Sequence, residues 1–326
     1  VNEEQPIKFA AKIGNFALCP VGLIKNSKAL YSDLVKGGVT CKRSRGKMGE
    51  NVPNQTEIVG ELICRENSIP EGIAKMYAKI DGSISLLLLS KDERAVYAAG
   101  DTFPLVVGSK EQGWAVASET TGFPSLGFQV EKFLDYREIV AIGENGLQTR
   151  VHSPAKRRFC PFLLIYSGFP ASDFYGVNSE IVRERCGGFL AENDETKADL
   201  VVGVADSGLP HSVGYVKRKI ELLKEEIQDY LNAFSQGTIN GQELVTKTQK
   251  ILDLVAPLRR PLVKYTPGWG RSYIPPLQRK RDLVAKYKQV PNPQIIKGKR
   301  IILVDDSIRR GTQLENLLRE KIWPFQ

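Results

Sequence analysis

The stretch that decides the fold of the second half of the chain is RIILVDDSIRRGTQ, residues 300 to 313. Its apolar run, IILV, is continuous and leads directly into two adjacent carboxylates, Asp305 and Asp306. A continuous apolar run predicts a strand that is covered on both faces, as in the parallel sheet of an α/β domain. Ligands of such sheets gather at the carboxyl ends of the strands. The stretch therefore predicts an α/β domain with a ligand site at these two acids.

The residues after the two acids are suited to a phosphate group. If the strand ends at Val304 and a helix begins near Gln313, the loop between them offers successive backbone N–H groups and two hydroxyls. Asp305 and Asp306 can then accept hydrogen bonds from vicinal sugar hydroxyls or meet a divalent cation. Asp-Asp-Ser is also an ordinary turn and N-cap signal, but a cap needs only one acid and neighbouring carboxylates repel each other. The pattern predicts a phosphorylated ribose as ligand.

A second polar cluster repeats this arrangement in GVADSGLPHSVGY, residues 203 to 215. Asp206, Ser207 and Gly208 follow another apolar strand, and the small residues allow backbone amides to approach an anion such as a pyrophosphate with its metal. The chain contains neither a Walker P-loop nor a G-x-G-x-x-G sequence. A Ser-His-Asp hydrolase built on Ser207 and His211 is disfavoured, because no G-x-S-x-G elbow occurs.

The pattern of the chain changes near residue 150. Residues 1–150 contain short β-rich segments and two helical patterns, around SKALYSDLVKGG (residues 27–38) and NQTEIVGELICRE (residues 54–66). They predict an antiparallel-sheet domain with a few helices. In residues 151–326 fully apolar segments alternate with helical ones, and FLLIYS, residues 162 to 167, is predicted to be one of the strands. Residues 217–256 have helical spacing on both sides of a Gly-Thr-Ile-Asn-Gly break and predict a helical hairpin.

Composition narrows the function classes. The chain has 326 residues, 42% of them hydrophobic, and a net charge of +9 that is spread along the sequence, which suits phosphorylated small molecules at least as well as nucleic acid. Five separated cysteines without a C-x-x-C pair indicate free thiols rather than a disulfide framework or a zinc site. No apolar run is long enough for a bilayer and no signal pattern is present, so a soluble cytoplasmic protein is expected.

Residues 302–312, ILVDDSIRRGT, resemble the phosphoribosyl pyrophosphate (PRPP) loop of type I phosphoribosyltransferases, and of glutamine amidophosphoribosyltransferases in particular. GVADSG resembles the pyrophosphate loop of that family, and residues 270–288 resemble its G-R-T-F-I-x-P-x-Q-x-x-R segment. Fragments of the first half, such as QTEIVGELI and DGSISLLLL, are similar to the N-terminal-nucleophile glutaminase domain of the family. The resemblance implies an α+β domain of N-terminal-nucleophile-hydrolase type followed by an α/β phosphoribosyltransferase domain with a mainly parallel sheet.

The family resemblance also implies a set of site residues. Lys264 and Arg271, in KYTPGWGR, are expected to act in catalysis by covering the pyrophosphate. Mg²⁺ is expected as cofactor, with Ser207, Asp305 and Asp306 as its ligands. The residues expected to bind PRPP are Asp206, Ser207, Gly208, Asp305, Asp306, Ser307, Ile308, Arg309, Arg310, Gly311, Thr312 and Gln313.

The sequence departs from the family in its glutaminase half. The chain begins at Val1 rather than at a nucleophilic cysteine. Val21 replaces the side-chain oxyanion donor, Gln55 replaces an acid, and the R-D-P-x-G-x-R-P-L stretch of the family is reduced to GDTFPL, residues 100–105. These changes predict that glutaminase activity is absent and that the first portion of the domain is missing; the phosphoribosyltransferase sheet is likewise expected to lack the strands after Gln326. Some members of the family hold an iron–sulfur cluster with four cysteines, and Cys160 matches only one of them. A single cysteine cannot hold a cluster, so none is expected.

Three hypotheses follow from these observations. The first is a transferase that moves an amino group, taken from ammonia, onto PRPP to give phosphoribosylamine in purine nucleotide biosynthesis. The second is a catalytically inactive subunit that binds PRPP or a nucleotide and regulates a partner protein. The third, a nucleobase-salvage phosphoribosyltransferase, lacks a recognisable base-binding hood. The expected partners are PRPP or a nucleotide and either further copies of the chain or another protein, without nucleic acid or membrane.

Overall fold

A computed structural model of the chain describes residues 5–41, 54–111, 113–153, 155, 159–264, 289–307 and 312–325. The chain forms two compact units. The first consists of Val1–Pro161 and Ala171–Gly176, and the second of Phe162–Pro170 and Val177–Gln326. In the described part of the chain, no helix combines the length and the apolar character that a bilayer crossing requires.

The first unit is built on antiparallel sheets. Its strands are β1 Ile7–Ala11, β2 Gly14–Ile24, β3 Gly82–Ser90, β4 Ala95–Ala99, β5 Val106–Lys110, β6 Gly113–Ala117, β7 Gln129–Phe133, β8 Ile139–Gly143, β9 Gly146–Val151 and the short β10 Asp173–Phe174. Six strands form one sheet in the order β1-β2-β3-β4-β8-β9, and three form a second in the order β6-β5-β7. Every strand pair within these two sheets is antiparallel.

Helices α1 Ser27–Lys36, α2 Gln55–Cys64 and α3 Ile69–Lys79 join the six-stranded sheet in one apolar core, and the short α4 Gly122–Leu126 follows. The first two helices coincide with the two predicted helical patterns. Helix α3 was not predicted, although its start carries a recognisable signal. Ser68 accepts a hydrogen bond from the Glu71 backbone N–H, and a proline occupies the first turn.

The second unit is built around a parallel sheet. Strands β12 Leu200–Gly203, β13 Leu258–Arg259 and β16 Ile301–Val304 lie in the order β13-β12-β16, and both pairs are parallel. An antiparallel ribbon, β14 Leu262–Lys264 and β15 Gln289–Pro291, lies between them in sequence. The short β11 Val177–Asn178 precedes the helices. The predicted fold class, an antiparallel-sheet unit followed by a unit with a parallel sheet, is confirmed.

The continuous apolarity of the strands follows from burial on both faces of this sheet. Leu200 and Val202 pack in one cluster with Leu317, whereas Val201 packs in another with Tyr215. Successive side chains point to opposite faces of a strand, so a strand with two covered faces needs an apolar residue at every position.

The helices of the second unit are α5 Ser179–Glu192, α6 Gly208–Ser235, α7 Gly241–Leu252, α8 Pro293–Ile296 and α9 Thr312–Asn316. The segment after α9 continues as a π-helix over Leu317–Ile322 and a 3-10 turn over Trp323–Phe325. Helix α6 starts directly at the GVADSG turn, rather than near residue 217, so the segment after Ser207 is the first part of a long helix. A capping box between Asn240 and Glu243 starts α7.

The prediction of a strand at FLLIYS was wrong, because residues Leu163–Ser167 form a single π-helical turn. Periodicity does not separate a short buried strand from a helical segment in an apolar run of this length. The turn is held by the buried guanidinium of Arg183, which donates to the Leu164 carbonyl at 2.9 Å and to the Gly168 carbonyl at 2.7 Å. Arg183 belongs to α5, so these contacts cannot be predicted from the residues of FLLIYS alone.

Candidate functional site

Two turns meet at the carboxyl edge of the parallel sheet. Strands β12 and β16 are in register with Gly203 opposite Val304, and the Val204 N–H donates to the Val304 carbonyl at 2.9 Å. The strand therefore ends at Val304, as predicted. The chain after β12 supplies residues 205–208, called here the 205–208 turn, and the chain after β16 supplies Asp305 and its neighbours. The structure thus brings the two predicted clusters together.

Gly208 is the point of closest approach between the two turns. A Cβ atom added there would lie 2.6 Å from the Val304 carbonyl oxygen and 3.5 Å from Asp305 Oδ1. The Gly208 N–H donates to the Val204 carbonyl at 2.8 Å, and the Leu209 N–H donates to the Asp206 carbonyl at 3.2 Å. A side chain at this position would push the turns apart, so glycine is required by space rather than by backbone conformation.

The two acids after β16 form a compact acceptor group. The Asp306 N–H donates to Asp305 Oδ1 at 2.9 Å, and the Ser307 hydroxyl donates to Asp306 Oδ1 at 3.1 Å. Asp306 Oδ2 is buried and has no hydrogen-bond partner among the described residues. A buried carboxylate oxygen without a donor is costly in an isolated protein. It is therefore the atom of this group that most needs a ligand donor or a cation.

Lys264, predicted on a catalytic loop, lies at the end of β14 beside the 205–208 turn. Its Nζ is 2.5 Å from Asp206 Oδ2, although 58 positions separate the two residues in sequence. The Lys264 side chain is 26% exposed and that of Asp206 is 59% exposed. The pair is thus open to solvent, and the ammonium group can exchange its carboxylate partner for a ligand anion.

His211 occupies the first turns of α6 and is buried. Its Nδ1 is 2.9 Å from the Ser207 carbonyl oxygen, so a proton on Nδ1 makes the hydrogen bond. Burial lowers the pKa of His211 below its ordinary value, and Arg183 acts in the same direction, whereas the Ser207 carbonyl and Asp306 oppose the shift. The ring contacts the carbonyl of Ser207, and this contact does not activate the hydroxyl as a Ser-His hydrolase would require.

Gln289, which the sequence analysis did not identify, belongs to the surroundings of the site. It is the first residue of β15, its side chain is buried, and its Nε2 donates to the Ala205 carbonyl at 2.7 Å. A single glutamine before Val-Pro carries no motif signal. Its position follows from the pairing of β14 with β15, which places Gln289 opposite Lys264.

The remaining predicted site residues are described in part or not at all. Thr312 is the first residue of α9 and Gln313 follows it, which agrees with a helix beginning near Gln313, but their side chains are outside the described set. Ile308, Arg309, Arg310, Gly311 and Arg271 lie outside the described residues.

The acidic, histidine and cysteine side chains form no metal cluster in the described part of the chain, since no group of three or more of them there is arranged to hold a metal ion. Burial raises the pKa of Cys41 to about 11 and that of Cys64 to about 12. Both thiols are therefore protonated near neutral pH and are poor nucleophiles.

The positions that the sequence analysis marked in the glutaminase-like half lie in the first unit. Val21 is in β2 with 49% of its surface exposed. Gln55 Oε1 accepts a hydrogen bond from the Ile24 N–H at 2.9 Å, so its side chain joins α2 to the end of β2. Asp101 is buried and paired with Arg137 at 3.2 Å. Gln55 and Asp101 are thus engaged in contacts within the protein, and Val21 is exposed on β2.

No protein-family model matches the chain. Among curated proteins it is similar to the amidophosphoribosyltransferase of Mycobacterium leprae, with 28% identity over 288 residues, which are 85% of this chain and 45% of that protein. The amidophosphoribosyltransferase of Staphylococcus aureus is 28% identical over 322 residues, which are 97% of this chain and 56% of that protein. The chain spans about half of the length of these relatives.

Solved structures give the same result. The glutamine PRPP amidotransferase from B. subtilis, complexed with ADP and GMP, superposes with a TM-score of 0.69 at 25% identity and covers 94% of this chain and 59% of its own. The allosteric regulatory enzyme of purine biosynthesis superposes with a TM-score of 0.71 at 25% identity, over 97% of this chain and 60% of its own. The proteins that this chain resembles over most of its length are amidophosphoribosyltransferases, so the resemblance inferred from its motifs is confirmed.

Proposed function

We propose that the second unit binds PRPP with Mg²⁺ and that the chain transfers an amino group to it. The observation that carries the proposal is the meeting of two polar turns at the carboxyl edge of β12 and β16, with Gly208 against Val304 and Asp305. The turn after β16 carries two adjacent carboxylates, Asp305 and Asp306. The 205–208 turn has small residues, and the Lys264 ammonium group lies beside it. A ligand with a ribose at one end and a pyrophosphate beside it matches this division.

In this proposal, the Asp305 and Asp306 carboxylates accept hydrogen bonds from the 2′- and 3′-hydroxyls of the ribose. Residues 307–313 hold the 5′-phosphate, and Asp206, Ser207 and Gly208 border the pyrophosphate. The geometry supports the arrangement because the two turns approach so closely at Gly208 that a single added Cβ atom would contact Val304 and Asp305. The ribose and the pyrophosphate then lie on neighbouring turns, as the two halves of one small molecule require.

The residues at the site suit Mg²⁺. This ion prefers oxygen ligands and keeps several waters, so one or two carboxylates with substrate phosphates suffice to hold it. Asp306 Oδ2, buried and without a donor among the described residues, meets that requirement, and Asp305 and the Ser207 hydroxyl are its proposed companions. When bound, the cation would neutralise charge on the pyrophosphate leaving group.

The protein contributes to this reaction mainly by positioning the reactants and neutralising charge. Pyrophosphate leaves the anomeric carbon as the amine attacks, so the residues must orient the ribose and neutralise the leaving group. Lys264 supplies one positive charge beside the 205–208 turn, and Arg271 is its proposed companion. No strong general base is needed, since the attacking nitrogen belongs to neutral ammonia, and the proton that it loses after attack passes to the departing pyrophosphate or to water.

Lys264→Gln should weaken the binding of Mg-pyrophosphate about tenfold or more, because a hydrogen bond to a charged group contributes about 1.5–3 kcal/mol. The binding of ribose 5-phosphate should stay at the parental level, since that ligand has no pyrophosphate. Isothermal titration calorimetry with the two ligands measures both effects, and Lys297→Gln, an exposed lysine of the same unit, is the control. Unchanged pyrophosphate affinity in Lys264→Gln would remove this residue from the site.

For the first unit we infer that glutamine is not the amine donor. Val21 has no polar side-chain atom to stabilise an oxyanion, and Gln55 is engaged with the Ile24 backbone. Ammonia is the proposed donor. Release of pyrophosphate from Mg-PRPP should therefore depend on ammonia and not on glutamine. Activity with glutamine would overturn this assignment, whereas PRPP binding without pyrophosphate release with either donor would favour the regulatory subunit.

A nucleotide is the second ligand class to test. The B. subtilis relative is a complex with ADP and GMP, and a nucleoside monophosphate shares the phosphorylated ribose of PRPP. Competition of GMP with PRPP in the same titration shows whether the two ligands use one site.

A further inference from the structure

The 205–208 turn is held from one side by a cross-strand pair of the β14–β15 ribbon. Lys264 and Gln289 are directly opposite each other in that ribbon, and opposite side chains in an antiparallel pair project from the same face. Lys264 Nζ binds the Asp206 carboxylate at 2.5 Å, and Gln289 Nε2 donates to the Ala205 carbonyl at 2.7 Å. One pair of residues therefore contacts two consecutive residues of the turn.

The two members of this pair differ in burial. Gln289 is 1% exposed, whereas the Lys264 side chain is 26% exposed. The lysine ammonium is partly exposed and can exchange Asp206 for a ligand anion, whereas the glutamine amide is enclosed and its bond to Ala205 has no water to replace it. Gln289 is thus the fixed contact of the pair and Lys264 the exchangeable one.

One polar atom of the buried Gln289 side chain is not satisfied by its surroundings. Its Nε2 is satisfied by Ala205, but its Oε1 is buried without a hydrogen-bond partner among the described residues. An apolar side chain of similar length would avoid this unsatisfied acceptor, but it would leave the buried Ala205 carbonyl without its donor. Local departures of this kind are expected where a residue serves a site rather than the fold.

Resting on the proposed PRPP site, we propose that Gln289 is a positioning residue: through the Ala205 carbonyl it fixes the 205–208 turn against β15, in the conformation that receives the pyrophosphate. It does not touch the ligand. The contact acts on the pyrophosphate side of the site. The ribose side is formed by Asp305 and Asp306, which follow β16.

The test uses Gln289→Met, which keeps the length of the side chain and removes the donor. Gln294→Met, the same substitution at an exposed glutamine of α8, is the matched control. The first measurement is hydrogen–deuterium exchange in the free chain at Gly208 and Leu209, whose N–H groups close the turn. Exchange there should accelerate about tenfold in Gln289→Met and stay at the parental rate in Gln294→Met.

The second measurement is calorimetric titration with Mg-pyrophosphate and with ribose 5-phosphate. Gln289→Met should bind pyrophosphate about tenfold more weakly, the scale on which loss of a supporting contact behind a ligand-binding group acts. Its affinity for ribose 5-phosphate should be unchanged. A purely structural role would instead weaken both ligands together.

The outcomes separate this inference from the proposed function. Parental exchange rates at Gly208 and Leu209 in Gln289→Met would overturn the positioning role, whatever the ligand does. Parental pyrophosphate affinity in Gln289→Met would also overturn it. If the parent chain binds neither PRPP nor pyrophosphate, the proposed function fails, and accelerated exchange would still show that Gln289 fixes the turn.

Discussion

Asp305→Asn combined with Asp306→Asn should abolish measurable binding of Mg-PRPP. Each substitution keeps the shape of the side chain but removes the charge that the ribose hydroxyls and the cation are proposed to meet. A hydrogen bond to a charged group contributes about 1.5–3 kcal/mol, so the loss of two lowers affinity by roughly a hundredfold to ten-thousandfold. Calorimetric titration of the double variant beside the parent measures the effect.

The control for this result must lose the same charge elsewhere in the second unit. Asp229→Asn combined with Asp253→Asn does so, because both residues are exposed on the α6–α7 hairpin. This double variant should bind Mg-PRPP as the parent does. An Asp305/Asp306 double variant that still binds with parental affinity would show that the two acids are only a turn signal after β16.

Two neighbouring glycines of α5 should respond in opposite directions to the same substitution. A Cβ atom at Gly187 would lie 1.8 Å from the His211 carbonyl oxygen and 2.9 Å from the Tyr215 backbone nitrogen. At Gly188 the nearest atom would be Arg218 Cβ, at 3.7 Å. Helices α5 and α6 therefore touch through backbone at Gly187, and only a glycine allows that approach.

Gly187→Ala should lower the free energy of unfolding by more than about 2 kcal/mol, because the helices must separate to admit one methyl group. Gly188→Ala should raise it by about 0.5–1 kcal/mol, since alanine restricts the unfolded chain and favours the helix. Urea denaturation followed by far-ultraviolet circular dichroism measures both. Equal stability of the two variants would contradict the close packing of α5 on α6.

The Gly187→Ala substitution should also weaken ligand binding at the candidate site. The atom that the new methyl group displaces is the carbonyl oxygen of His211, and the ring of that residue contacts the Ser207 carbonyl. A folded Gly187→Ala variant should therefore bind Mg-pyrophosphate more weakly than Gly188→Ala does.

Much of the second unit could be predicted from the sequence because its signals are local. The IILV run predicted a strand with two covered faces, and the packing of Val201 and Val202 into different clusters shows the same pattern in β12. The end of the strand at Val304 and the acids beyond it were also local features. The meeting of the two turns followed from the rule that parallel strands share a carboxyl edge.

The features that the sequence did not predict depend on contacts between residues that are far apart in the sequence. Residues 163–167 form a π-helical turn whose carbonyls at Leu164 and Gly168 are bound by Arg183 of α5. Gln289 reaches Ala205 across 84 positions of sequence through a ribbon that no motif marks. Helix α3 differs from these cases, because its Ser68 cap and its proline are local signals of a helix start.

Binding of PRPP by the parent chain is the decisive test of the proposed site. Titration calorimetry in the presence of excess Mg²⁺ should show saturable binding at one site per chain, with a dissociation constant below about 1 mM, the upper range of ordinary enzyme–substrate affinities. Added pyrophosphate should compete with PRPP for the site. A folded chain that gives no binding heat with millimolar Mg-PRPP and no protection of the 205–208 turn from hydrogen exchange would contradict the account.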